Sequence, residues 1–246
     1  CKFENEFIPL VQDLERLVDD NTVAILYNFP SNPTGGTLTT SQRDELLEFA
    51  QRNDLWIISD EVYDRIVFEG QHVSFMDVDY DKVLIVNSFS KTFAMTGWRI
   101  GYIISTNLTA MTQIIKMQYY ITACSNDAMQ YAVLAAMTQA PDYPDIIAAE
   151  FKERCELIVE RLNKMPGVEC HKPKGSIYVF PKINVKGMNS EEIALELLKD
   201  GVLCSPGAAF GPSGEGHLRF AYTISKEDIV RGMNKVESTL KRLNGL

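Results

Sequence analysis

The chain has 246 residues, 46% of them hydrophobic and 23% charged, with a formal net charge of −9 at pH 7. That length is enough for one large domain, or for two smaller ones with a sizeable core. The acidic balance without a basic stripe argues against a nucleic-acid surface, and no apolar run reaches the length of a membrane span.

Taken in chain order, Thr22 to Tyr27 (TVAILY) reads as a buried strand. Thr39-Thr40-Ser41-Gln42 then resembles a capping box opening the helix RDELLEFAQRN. Leu55 to Ser59, Val83 to Asn87 and Ile100 to Ser105 are the next strands. Continuous apolar runs separated by helical ones predict a parallel sheet covered on both faces. The short link before the last strand leaves its direction open. Thr109 to Gln139 is helical with an interruption at Thr122 to Asn126, and a strong helix follows from Asp145 to Lys164. Gly167 to Ile183 reads as two strands with a turn at Lys174-Gly175. A helix at Glu191 to Lys199, a strand near His217 to Tyr222 and a helix from Lys226 to Leu243 complete a smaller α+β unit. The expected fold class is α/β, with residues 1–144 as a partial large domain and 145–246 as a small C-terminal domain.

The five cysteines (Cys1, Cys124, Cys155, Cys170, Cys204) are scattered and form no CxxC pair, which argues against a disulfide framework or zinc knuckle. The three histidines are far apart in sequence, so no metal site is expected. The start, Cys1-Lys2-Phe3-Glu4, has no signal-peptide architecture, and a cytoplasmic location is expected.

Ligands of open α/β sheets bind beyond the carboxyl ends of strands. Here three successive strands end in loops rich in polar chemistry: Asn28 to Gly35, Asp60-Glu61-Val62-Tyr63, and Ser88-Phe89-Ser90-Lys91. On the sheet reading, Asn32, Asp60, Tyr63, Ser88 and Lys91 face one crevice. A desolvated lysine can attack a carbonyl to form a Schiff base. Ser88, Ser90 and Arg99 around it suit a phosphate dianion, with the arginine supplying forked donors. Amine and phosphate cradle together are what pyridoxal 5'-phosphate requires. A carboxylate such as Asp60 can keep a pyridine nitrogen protonated, and a tyrosine hydroxyl and an asparagine amide can donate to a phenolate oxygen. Lys91 is then placed to move a proton as general base.

Singly, each residue has a plainer use. Asn32-Pro33-Thr34-Gly35 is a turn, Asp60 a loop carboxylate, Tyr63 half-buried packing, Trp98 packing, Lys91 a surface lysine and Arg219 a salt-bridged strand residue. The constellation is far less probable by chance than any one member.

Asn32-Pro33-Thr34-Gly35, Ser59-Asp60-Glu61-Val62-Tyr63 and Ser88-x-Ser90-Lys91-x7-Arg99-x-Gly101 resemble, in order and spacing, the class I/II aminotransferases, the fold-type I pyridoxal-phosphate enzymes. The resemblance extends through Pro206 to Gly211 and Leu218-Arg219-Phe220-Ala221. It implies Lys91 as the internal-aldimine and proton-transfer lysine, and Asp60 on the pyridine nitrogen. Asn32 and Tyr63 would meet the phenolic oxygen, with Ser88, Ser90 and Arg99 on the phosphate. Arg219 would fork onto the substrate's α-carboxylate. The expected substrates are an amino acid and a 2-oxo acid, and a homodimer is expected, with Thr122 to Asn126 near its interface. Family members carry an N-terminal portion, with a Gly-rich phosphate turn and a ring-stacking aromatic, that this sequence lacks. The chain therefore reads as a C-terminal portion with an incomplete phosphate cup. Rival readings are a pyridoxal-phosphate lyase of the β-elimination or cyclopropane-forming type, a non-catalytic aminotransferase-like module, and a cofactor-free Schiff-base lyase. The last leaves Asp60 and the phosphate cluster unexplained.

Overall fold

A computed structural model describes residues 1–245 and divides them into two compact units. The sheet unit comprises Pro9–Pro30 and Thr37–Ile147; the C-terminal unit comprises Cys1–Ile8, Ser31–Gly36 and the chain from Ala148 on.

The sheet unit opens with a short helix α1 (Val11–Leu14) and strand β1 (Ala24–Asn28). Helix α2 (Thr40–Arg52) follows, then strands β2 (Trp56–Asp60) and β3 (Val83–Ser88). Helix α2 starts where the sequence predicts. Thr39 Oγ1 accepts from Gln42 N at 3.2 Å while Gln42 Oε1 accepts from Thr39 N at 2.9 Å, a reciprocal capping box. Its Leu46, Phe49 and Ala50 are buried. The first three strands are parallel, with Asn28 opposite Asp60 and Asp60 opposite Val86. Their carboxyl ends therefore lie together.

One turn of helix, α3 (Phe89–Thr92), leads from β3 toward β4 (Gly101–Ile104), which runs antiparallel to β3 with Ser88 opposite Gly101. The close pairing needs a glycine there, because a Cβ on Gly101 would lie 2.6 Å from the Asn87 carbonyl oxygen. Helices α4 (Leu108–Thr122) and α5 (Asp127–Gln139) are separated by the predicted interruption, and α6 (Tyr143–Asn163) follows.

The sequence predicts cover on both sheet faces, and within this unit the structure differs. Burial alternates along β2 and β3, so one face is packed and the other only half-covered, while all of β4 is exposed. Helix α4 buries no residue, and its Tyr120 is 78% exposed. Trp98, expected as packing, is 45% exposed.

In the C-terminal unit, α6 leads to β5 (Val168–Glu169), β6 (Tyr178–Val179) and β7 (Lys182–Ile183). Helix α7 (Ser190–Lys199), β8 (Ser205–Pro206), β9 (Leu218–Ala221) and α8 (Lys226–Asn244) complete it. The Gly167 to Ile183 stretch is not a two-stranded hairpin. Strand β5 pairs with β7, whereas β6 joins β9 and β8 in an antiparallel sheet with β9 at its centre. Ser176 takes a left-handed φ of 67° just before β6, and Pro181, which donates no ladder hydrogen bond, separates β6 from β7. Helix α7 carries an Asn189–Glu192 capping box, and Gly245 closes α8 in the left-handed conformation at φ 69°.

Candidate active site

The sequence-predicted residues fall into two sets, one in each unit. In the sheet unit, β2 delivers Asp60 at its last position, and the ladder continues one step as Glu61 N donates to Val86 O at 2.9 Å. The Asp60 carboxylate accepts from Val62 N at 3.3 Å. Burial raises its pKa above the ordinary carboxylate value, and hydrogen bonds from Val62 N and the Asn28 amide only partly offset this. The turn after it is closed by Asp64 N on Glu61 O at 2.9 Å and by Ile66 N on Tyr63 O at 2.8 Å. Tyr63, inside this turn, is buried.

Glu61 belongs to the motif but has no role in the sequence reading, and the structure gives it one. Its carboxylate is buried and accepts from Ser59 Oγ (2.9 Å), Ser74 Oγ (2.7 Å) and Phe75 N (3.1 Å), with His72 Nε2 at 2.8 Å. It ties the loop after Asp60 to residues 72–75. A buried carboxylate needs such partners, but nothing in the local sequence says which residues supply them.

At the end of β3, Ser88 caps α3: its Oγ accepts from Ser90 N at 3.1 Å and lies 2.8 Å from Ser90 Oγ. The same oxygen is 3.0 Å from Ile100 O, and Phe89 N donates to that carbonyl at 3.3 Å. Ser88, Ser90 and the residue after Arg99 are thus held in one cluster. Arg99 adopts a left-handed φ of 54° and donates from Nη1 to Thr96 O at 2.8 Å. Lys91 lies in the single turn of α3, and no hydrogen bond or ion pair engages its ammonium among the described residues.

The second set lies in the C-terminal unit. Arg219 on β9 donates from Nη1 to Asn32 Oδ1 at 2.8 Å and from Nη2 to Ser205 Oγ at 3.0 Å. Asn32 is kept there by the turn it belongs to. Ser31 N donates to Gly36 O at 2.9 Å, Gly35 N to Ser31 O at 2.9 Å, and Lys174 N and Gly175 N both donate to Gly35 O at 3.0 Å. Ser205, a serine between Cys204 and Pro206, carries no local sequence signal for this contact.

Among the described residues there is no cluster of histidine, cysteine and acidic side chains fit to hold a metal ion. No helix there is long and apolar enough to cross a membrane.

Lys91 thus follows a hydrogen-bonded hydroxyl pair, of which Ser90 is buried, and Asp60 ends the adjacent parallel strand. In comparison with known proteins, the family described as "Aminotransferase class I and II" matches residues 1–236, and the chain belongs to it. It is 36% identical to the aromatic-amino-acid aminotransferase 2 of Thermococcus litoralis over 97% of this chain and 62% of that protein. It is 37% identical to an aspartate aminotransferase of Thermotoga maritima, over 95% of this chain and 60% of that protein. The solved aromatic aminotransferase from Pyrococcus horikoshii OT3 superposes with a TM-score of 0.93 at 36% identity, covering 98% of this chain and 65% of that one. The chain thus spans 60–65% of the length of these relatives.

Proposed function

We propose that the chain carries the lysine, the cofactor contacts and the carboxylate fork of a pyridoxal-phosphate-dependent aminotransferase, which moves an amino group between an amino acid and a 2-oxo acid. The observation that carries this is the placement of Asp60 at the end of β2 and of Lys91 just past the end of the adjacent parallel β3, with the Ser88–Ser90 pair beside the lysine.

The residues present fit the cofactor. Asp60 would face the pyridine nitrogen, where its partly buried carboxylate gains from meeting a positive N–H. The Tyr63 hydroxyl and the Asn32 amide would donate to the phenolic oxygen. Asn32 turns Oδ1 toward Arg219, which makes its Nδ2 the donating end. Ser88, Ser90 and Arg99 would hold the phosphate. Bound there, pyridoxal phosphate supplies an electron sink for the amino acid's α-carbon. Lys91 would carry the proton to and from that carbon, as an amine with no competing partner among the described residues can do. Arg219 holds the α-carboxylate, since a guanidinium forks onto a carboxylate in one plane. The reading places the reaction in the cytoplasm and in a homodimer.

Absorbance of the protein with pyridoxal phosphate, before and after borohydride, tests this. A borohydride-fixed adduct at Lys91, absent from Lys91→Ala, is expected, together with turnover that depends on an added 2-oxo acid. Identical spectra for the two proteins would overturn it. Turnover without a 2-oxo acid would transfer the reading to a lyase.

A further inference from the structure

Hydrogen bonds are only part of what holds Arg219. It lies on β9, the central strand of its sheet, and both neighbouring strands supply its surroundings in register. Ser205 on β8 is its direct cross-strand partner. Tyr178 on β6 pairs with Ala221, two residues further along β9 on the same face as Arg219. Such a diagonal pair is within reach of long side chains. The Arg219 Cζ lies 4.5 Å from the Tyr178 ring centroid and 5.0 Å from that of Phe210, both inside the range of about 6 Å for a cation–π contact.

Phe210 does not drift on a loose loop. It ends the turn Gly207–Phe210, which is closed against the start of β9: Gly207 N donates to His217 O at 2.8 Å. The backbones approach so closely that a Cβ on Gly207 would lie 1.9 Å from Gly214 O. Ala208 N donates to Ser190 Oγ at 3.2 Å, and the Ser190 hydroxyl in turn donates to Glu215 at 2.9 Å. Behind Phe210, the Phe180 ring stands edge-on with centroids 5.7 Å apart.

We infer that Tyr178 and Phe210 are positioning residues that clamp the Arg219 guanidinium, so that a substrate carboxylate meets an arginine already oriented. Asn32 and Ser205 take one N–H from each terminal nitrogen, which leaves a further N–H on each for the carboxylate. A long cationic side chain otherwise loses rotamer freedom when it binds, and pre-organisation removes that cost from the affinity. Leaving the cation weakly hydrated against two rings also suits arginine better than lysine. The inference rests on Arg219 receiving the substrate's carboxylate.

The test uses the pyridoxal-phosphate-loaded protein and two unreactive probes, succinate and 3-phenylpropanoate, titrated by calorimetry. Tyr178→Leu and Phe210→Leu keep bulk but remove the aromatic face. Each should weaken the better-bound probe by about three- to thirtyfold, while Tyr178→Phe and Phe210→Tyr stay within about twofold of wild type. The dissociation constant for pyridoxal phosphate should not change. The NMR order parameter of the Arg219 Nε–H should fall in both leucine variants and recover in the conservative ones, which loss of packing alone would not produce. Leucine variants with wild-type probe affinity and an equally ordered Arg219 would overturn the clamp, as would a wild type that binds neither probe. If the probes bind with this ring dependence but no amino transfer occurs, the clamp stands and the aminotransferase reading falls.

Discussion

The His72 imidazole brings Nε2 to 2.8 Å from Oε2 of Glu61, the residue that directly follows Asp60. Glu61 thereby anchors the segment that presents Asp60 and Tyr63 to the 72–75 loop. Burial alone would raise the Glu61 pKa, but the hydrogen bonds from His72 and Ser74 outweigh it and hold the carboxyl below its ordinary 4.5. A carboxyl lowered by folding contributes stability that is complete above 4.5 and disappears as pH falls through its folded value. Glu61→Ala strands several buried donors, so urea unfolding at pH 7 should show a loss of about 3 kcal/mol. The gap between wild type and variant should narrow as pH drops below 4.5. Equal stability at pH 7 would show that the network holds nothing in place.

Asp60 lies on the opposite side of that ledger. Burial and the neighbouring Glu61 charge raise its pKa, so the fold disfavours the charged form that the proposed chemistry needs. The folded protein then holds the Asp60 proton more tightly than the unfolded chain, and this carboxylate weakens the fold as pH rises through its folded value. Asp60→Asn without cofactor should therefore melt at or above the wild-type Tm at pH 7. Its amino-transfer rate should fall by about a hundredfold or more, since the charge facing the pyridine nitrogen is gone. A lower Tm with an intact rate would make Asp60 an architectural residue.

Arg99 and Ser90 are assigned to phosphate, a role that comparison of two ligands can isolate. Arg99→Gln should weaken pyridoxal phosphate by about ten- to a hundredfold, the worth of a charge-assisted hydrogen bond, and leave unphosphorylated pyridoxal nearly unaffected. Ser90→Ala should discriminate in the same direction and less strongly, because the buried Ser90 hydroxyl is shared with Ser88. Equal losses for the two ligands, read by fluorescence titration, would place both residues away from the phosphate.

What could be read from the sequence follows physical range. The capping box at Thr39 and Gln42, the apolar strands β1 to β3 and the break between α4 and α5 are local signals, and they appear where expected. The direction of β4 depends on the turn of α3 and on the close approach at Gly101, which no periodicity encodes. The short strands after Gly167 are set by partners as distant as β9. Asn32, Asp60, Lys91 and Arg219 stand in recognisable motifs. Ser205, Tyr178 and Phe210 acquire meaning only through register with Arg219, because Tyr178 reads in isolation as an ordinary strand residue.

His217 provides a pH test of the C-terminal unit. It is 4% exposed, with Nδ1 at 3.0 Å from Glu215 O and no hydrogen-bond partner for Nε2 among the described residues. The Phe180 ring stacks at 5.0 Å, and those of Phe3 and Phe7 are each 5.3 Å away. Burial lowers the His217 pKa from its ordinary 6.5, and the Lys182 charge adds to this against the hydrogen bond to Glu215 O. Below 6.5 the unfolded chain takes up a proton that the folded protein resists, so stability falls with pH until the folded value is passed. The slope from this one group is at most about 1.4 kcal/mol per pH unit. His217→Phe retains a ring for the stack and removes both the orphaned nitrogen and the titration. Its unfolding free energy, measured in urea between pH 7 and about 5, should decline less steeply than wild type, because the two proteins differ only in the titration of this one side chain. Parallel slopes would mean that His217 reaches water and protonates in the folded state as readily as in the unfolded chain.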